Sequence, residues 1–296
     1  MTETLDPRLH AYRHDLADIR LKGKVAAARF VEGEPRRVVA PAAPLKRVPR
    51  ADASLDSEVL RGEAFTVFET IPEGWSWGQL ETDGYVGYVP SDVLGPATPA
   101  PTHRIAALRT FIYPGPDMKL PAIAALSLGA QVALDREAET RATLYRKIAG
   151  GEGWIVAVAA EPVAAPPQGD FVEVAERFLN TAYLWGGRTS LGLDCSALVQ
   201  LSLMAAGIRA PRDTDLQERA LGQPVEGGVA APLHRGDLVF WLGHGAGHVG
   251  IMIDGEYLLH ANGRHMAVVI EPLADLVARI GQKTSQPTSV RRMLPE

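Results

Sequence analysis

The chain has 296 residues and one cysteine, Cys195, in the stretch TSLGLDCSALVQLSLMAAG (189–207). A lone thiol cannot close an internal disulfide, so it is either a small buried apolar residue or a nucleophile. Its position allows either, and the availability of a base decides. Asp194 is a helix-capping type, Ser196 to Ala206 suits a helix, and Gly207 suits its end. Apolar residues surround that helix, which predicts a central, buried element with Cys195 at its first turn. There the unpaired N–H groups and the helix dipole favour a thiolate, and they can also hold the oxyanion formed when a carbonyl is attacked.

A nucleophilic thiol needs a base, and two histidines are spaced for it. His248 opens HVGIMID and His260 ends EYLLHAN, with Asp254-Gly255 between them as a hairpin signal. A strict two-residue turn would pair 253 with 256 and send the two imidazoles to opposite sides of the sheet. A three-residue loop of Ile253, Asp254 and Gly255, with Gly255 left-handed, would pair 248 with 260. The rings would then be neighbours, one taking the thiol proton and the other orienting it. His244 and His265 could join these two as a metal cluster. The Gly-Ala-Gly spacer before His248 is poor helix, however, and strand geometry separates 244 from 248, so no metal and no cofactor is expected and both residues are placed on the cleft rim.

The elements that must hold these residues can be read outward from them. FVEVAERFLN (171–180) is an amphipathic helix with Val172, Ala175, Phe178 and Leu179 on one face. After the cysteine helix, PRDT introduces a further helix, DLQERALG, which Asp213 could cap. Strand-like runs follow: GDLVFWLG, HVGIMIDG, EYLLHAN, AVVIEPL and SVRRMLPE. Helices first and strands afterwards, joined by tight turns, predict an α+β domain with an antiparallel sheet.

Two Pro-rich stretches, GPATPAPTH (95–103) and EPVAAPPQGD (161–170), read as linkers and divide the chain into 1–95, 96–165 and 166–296. The first part opens with an expected helix in DPRLHAYRHDLADIRLKG, followed by short β runs of small-barrel spacing. The second echoes it at an offset of about 67, with LSLGAQVALD against LRGEAFTVFE and GEGWIVAVAAEPV against DGYVGYVPSDVL, as duplicated small domains would. A charged content of 22%, a net charge of −5 and a pI near 5.9 leave no electrostatic footprint for nucleic acid or an anionic membrane. No apolar run has membrane-spanning length, and the N-terminal residues carry no signal-peptide core, which makes a cytoplasmic protein the expectation.

Four ordered motifs, TAYLWGGRTSLGLDCSALVQ, RGDLVFWLG, HVGIMID and LLHANG, resemble those of the NlpC-type peptidases, papain-like cysteine peptidases that cut bacterial cell-wall peptides. The Gly-Glu-x-φ-x-V and Gly-Tyr-x-Gly-Tyr-Val patterns upstream resemble bacterial SH3-like domains. The resemblance implies a nucleophile helix packed on an antiparallel sheet, preceded by two small all-β SH3-like barrels. It also implies roles: Cys195 as nucleophile, His248 as base, His260 as the residue that orients the base, and Tyr183 as a cleft tyrosine. Asp194, Ser196, Asp213 and Thr214 match the substrate-binding positions, with Asp213 placed to bind the free amine of an N-terminal L-alanine; Tyr85 and Glu58 are the matching residues of the first SH3-like domain, expected to wall off the cleft beside Asp213. One departure is Ala197, where the family usually has glycine. The implied reaction is hydrolysis of the bond from γ-D-glutamate to a diamino acid in murein peptides, with no obligatory protein partner. A thiol acyltransferase or amidase using the same residues, and a non-catalytic wall-binding protein, are the alternatives.

Overall fold

The computed structural model describes residues 5–151, 153–242, 247–281 and 286–293. The chain divides into two compact units, 1–165 and 166–296, and the break falls inside the second Pro-rich stretch.

The first unit is built from short strands and 3-10 turns. Its opening segment holds a strand, Leu16–Asp18, and a 3-10 turn, Ile19–Leu21, where a helix was expected. The segment pairs instead of coiling: Leu16–Asp18 runs parallel to Arg29–Val31, and Tyr12 bridges to Ala17.

The internal repeat is visible in the strand register. In the hairpin of Ala42–Leu45 and Ser57–Leu60, Ala42 faces Leu60. In the hairpin of Arg109–Ile112 and Ala124–Ser127, Arg109 faces Ser127, 67 residues further on at both positions. Each hairpin is followed by a left-handed glycine, Gly62 at φ +83° and Gly129 at φ +85°, which only a residue without Cβ adopts cheaply. Each copy carries a 3-10 turn, Ser91–Val93 or Ala157–Ala159, just before its last strand, Leu94–Pro96 or Ala160–Pro162. In the first copy a five-stranded sheet closes over a core of Val38, Leu45, Val59, Phe65, Leu80, Tyr85 and Val89.

The second unit is α+β, as the order of elements implied. Its helices are α1 (Phe171–Glu176), α2 (Cys195–Ala205), α3 (Thr214–Ala220) and α4 (Leu273–Gly281). Its main sheet has six strands: β1 (Gln223–Pro224), β2 (Leu238–Trp241), β3 (His248–Met252), β4 (Tyr257–Asn262), β5 (Ala267–Pro272) and β6 (Ser289–Arg292). They lie in the order β1-β6-β2-β3-β4-β5, antiparallel throughout. Helix α2 packs on β3 and β4, and every residue from Cys195 to Leu203 is buried. Helix α4 places Leu276, Val277 and Ile280 against Val239, Trp241, Met252 and Leu258 of the sheet.

Two local expectations are corrected. Helix α1 ends at Glu176 and Asn180 turns left-handed at φ +67°, so the helical period stops before Leu179, which is exposed rather than on the buried face. In the β3–β4 hairpin, Met252 pairs with Leu258 and the Ile253 N–H donates to the Tyr257 carbonyl. The loop is therefore three residues long, as parity required, but it is 254–256 rather than 253–255, and Gly255 is not left-handed. Asp254 sets this register: its Oδ1 accepts from the N–H groups of both Glu256 and Tyr257, at 2.8 and 2.7 Å.

Candidate active site

Asp194 builds the entrance to α2. Its carboxylate caps the helix by accepting from the Ala197 N–H at 2.9 Å, and it also accepts from the Gly186 N–H at 3.0 Å. Arg212, fully buried, meets the same carboxylate with both terminal nitrogens, at 2.9 and 2.8 Å, and donates to the Ser196 hydroxyl at 2.8 Å. A buried carboxylate survives only with such partners. The side chains of Asp194 and Ser196 are thus engaged within the protein. At the far end Gly207, at φ +82°, stops the helix.

Cys195 follows the cap as the first helical residue. Its sulfur is buried, accepts from the Val249 N–H and lies 4.0 Å from the Thr214 hydroxyl. Val249 is next to His248 in β3, so this contact ties the nucleophile to the strand that carries the base. The expectation of a depressed thiol pKa is overturned. Burial, reinforced by the Asp194 carboxylate, pushes it up to about 11, against the opposing pull of the Val249 N–H, the Thr214 hydroxyl and Arg212. A helix N-terminus does not offset complete desolvation here.

His248 and His260 come together as the odd loop demanded. The β3–β4 register leaves them on one face of the sheet, two positions out of step rather than directly opposite. The His248 Nε2 lies 2.7 Å from the His260 Nδ1, with ring centroids 5.0 Å apart, and Trp241 packs on the outer side of the His248 ring. Burial, followed by the charges of His260 and Arg279, lowers the His248 pKa to about 3. His260 is also held below its ordinary value by burial, with Glu271 opposing. Burial thus favours the neutral thiol and the neutral imidazoles over their charged forms.

Glu271 was not among the expected residues. It stands 2.9 Å from the His260 Nε2 and is gripped by Arg279 at 2.7 and 2.6 Å. The pairing of β4 with β5 puts His260 opposite Val269 and Leu258 opposite Glu271, one more diagonal step across the same face. The sequence carries two signals for it: the alternation in AVVIEPL sets Glu271 two residues from Val269, and Leu273, Leu276, Val277 and Ile280 have the helical period of α4.

The other expected residues divide between the units. Tyr183 bridges to Leu193, and burial together with Cys195 and Asp194 raises its pKa, so it stands beside the nucleophile as a neutral phenol. Asp213 is the N-cap residue of α3 but does not cap it through its side chain. Thr214, next to it, touches the sulfur. Tyr85 is buried with the core of the first barrel, and Glu58 is half-buried on the Ser57–Leu60 strand. His265 sits in the β4–β5 turn with its Nδ1 3.1 Å from the Asn262 side-chain oxygen; His244 lies outside the described residues. Among the described residues no cluster of three or more His, Cys, Asp or Glu is arranged to hold a metal, and no helix is long and apolar enough to cross a membrane.

Residues 180–279 match the NlpC/P60 family, and residues 45–94 match the bacterial dipeptidyl-peptidase Sh3 domain. The chain is 32% identical over 113 residues to a gamma-D-glutamyl-L-lysine dipeptidyl-peptidase of Bacillus subtilis, a match covering 36% of each protein. It is 26% identical over 230 residues to dipeptidyl-peptidase 6 of Lysinibacillus sphaericus, covering 72% of this chain and 83% of that one. The first of these matches spans about a third of its relative's length. In fold, the chain is similar to the crystal structure of an NlpC/P60 family protein from Bacillus cereus, with a TM-score of 0.72, 20% identity, and coverage of 88% of this chain and 100% of that one.

Proposed function

We propose that this chain, which carries an NlpC/P60-family domain after a bacterial dipeptidyl-peptidase Sh3 domain, is a cysteine peptidase of peptidoglycan peptides. Its reaction is hydrolysis of the amide between the γ-carboxyl of D-glutamate and a diamino acid, lysine or meso-diaminopimelate. The observation that carries the reading is the 2.7 Å contact of His248 with His260, in the unit where the Cys195 sulfur meets the Val249 N–H.

The Cys195 sulfur attacks the γ-carbonyl carbon as its proton passes to His248. The oxyanion takes N–H groups at the start of α2. Collapse breaks the C–N bond, and the departing amine takes the proton from His248, leaving a thioester. A water molecule, deprotonated by His248, then adds to the thioester, and the thiol is released with its proton restored. The resting pair is neutral, so proton transfer accompanies attack instead of preceding it.

Specificity follows from Asp213, whose carboxylate is the natural partner of the α-ammonium of an N-terminal L-alanine and whose neighbour Thr214 touches the nucleophile. A requirement for that free amine would suit the recycling of short wall peptides. Mass spectrometry of the products from L-Ala-γ-D-Glu-meso-diaminopimelate and its lysine counterpart, each with a free and an acetylated N-terminus, tests the reading. Cleavage at the γ-glutamyl bond of the free peptides supports it. Cleavage at another bond, or equal cleavage of acetylated peptides, contradicts the substrate assignment.

A further inference from the structure

The two histidines form a relay only if their protons sit on the correct nitrogens, and the surroundings of His260 decide which. Two groups compete for its Nε2 atom: Glu271 Oε1 at 2.9 Å, which can only accept when ionised, and Asn262 Nδ2 at 3.0 Å, which can only donate. The orientation of the Asn262 amide is itself fixed, because its oxygen accepts from the N–H groups of Arg264 and His265, at 3.1 and 2.9 Å. The nitrogen is therefore the atom turned towards His260.

We propose that Glu271, held by Arg279, is the positioning residue that places the protons along His260 and His248, and that Asn262 would impose the opposite placement in its absence. With the carboxylate present, His260 carries its proton on Nε2 and donates it to Glu271. Its Nδ1 then accepts from the Nε2–H of His248 across the 2.7 Å contact. That leaves the lone pair of His248 on Nδ1, the remaining ring nitrogen, as the base for the thiol. Without Glu271, Asn262 donates to the His260 Nε2, the His260 proton moves to Nδ1, and His248 must accept at Nε2. His248 then holds a proton on Nδ1 and cannot take one from Cys195. A wrong tautomer disables a base whose position is otherwise intact.

The charged neighbours support the same outcome. Glu271 is ionised: although burial raises its pKa, contacts with His260 and Arg279 hold it below the ordinary carboxylate range. It faces His260, Arg279 and, at 3.6 Å, the Nδ1 of His265. His248 faces Trp241, His260 and the field of Arg279. His260 is fully buried, away from bulk solvent.

This inference rests on reading Cys195 and His248 as nucleophile and base, and its primary test needs no peptide. Nitrogen-15 spectra of the histidine rings report which nitrogen carries the proton; His260→Gln assigns the signals. The wild type should show Nε2–H at both His248 and His260, and Glu271→Ala should show Nδ1–H at both. With cleavable peptide, Glu271→Ala should lower kcat roughly 10- to 100-fold, part of the ~10²–10⁴ that general-base catalysis contributes, while KM changes by less than about twofold. Should that variant not fold, Arg279→Gln keeps Glu271 but removes its cation. The Glu271 pKa then rises, as do those of the two histidines, and the acid limb of the kcat profile should move to higher pH. Unchanged Nε2–H signals in Glu271→Ala, or an unmoved acid limb in Arg279→Gln, overturn the inference. Failure of peptide cleavage with the tautomers shifted as described counts against the proposed substrate and leaves the positioning role standing.

Discussion

Arg212 and Asp194 form a two-point ion pair immediately before the nucleophile, with the guanidinium fully buried. The pair joins three pieces of chain: the Gly186 turn, the start of α2 and the segment leading into α3. Its worth lies in what happens when one partner is lost, because the other is left buried and charged. Arg212→Met should therefore cost about 3–5 kcal/mol in a urea unfolding experiment. Adding Asp194→Asn to Arg212→Met should recover part of that loss, since the orphaned charge is gone. Equal stability of Arg212→Met and the wild type would mean that the pair does not hold the helix entrance.

The thiol supplies a second prediction. A Cys195 pKa near 11 means that the free protein holds little thiolate at neutral pH. Alkylation by iodoacetamide should then rise about tenfold per pH unit above pH 7, continuing towards pH 11. A rate that has already levelled off by pH 7 would instead reveal a preformed thiolate–imidazolium pair.

Much of this site could be read from the amino-acid order, and the part that could not has a physical explanation. The capping type at 194, the apolar run after it and the glycine at 207 placed Cys195 correctly because all three signals are local. The parity of the β3–β4 loop put His248 and His260 on one face, yet the register was two residues off, because Asp254 captures two N–H groups and moves the turn forward. The thiol pKa was misjudged because desolvation depends on everything packed around the sulfur, which helix position alone does not report. Glu271 and Arg279 lie 11 and 19 residues beyond His260 and meet it only through the β4–β5 pairing and the packing of α4. The N-terminal segment is strand and turn rather than helix because Leu16–Asp18 pairs with Arg29–Val31, a partner the local pattern does not report.

Acid stability gives a third prediction. His248 has an ordinary pKa of 6.5 when unfolded and about 3 when folded. The unfolded chain therefore binds a proton that the folded one refuses, so stability is full above about pH 6.5 and falls as the pH drops towards 3. The slope from this group is at most about 1.4 kcal/mol per pH unit. His248→Gln should flatten the stability profile in that window, measured by urea unfolding at a series of pH values. A profile identical to the wild type would contradict the buried, neutral histidine.

The nucleophile assignment is tested most directly by Cys195→Ser, assayed on L-Ala-γ-D-Glu-meso-diaminopimelate alongside the wild type. The side chains are close in volume, so the variant should unfold at nearly the wild-type temperature. A hydroxyl in place of a thiol at this site has no comparable nucleophilicity, and release of diaminopimelate should fall below detection. Folded Cys195→Ser protein that still releases diaminopimelate at near the wild-type rate would contradict the account.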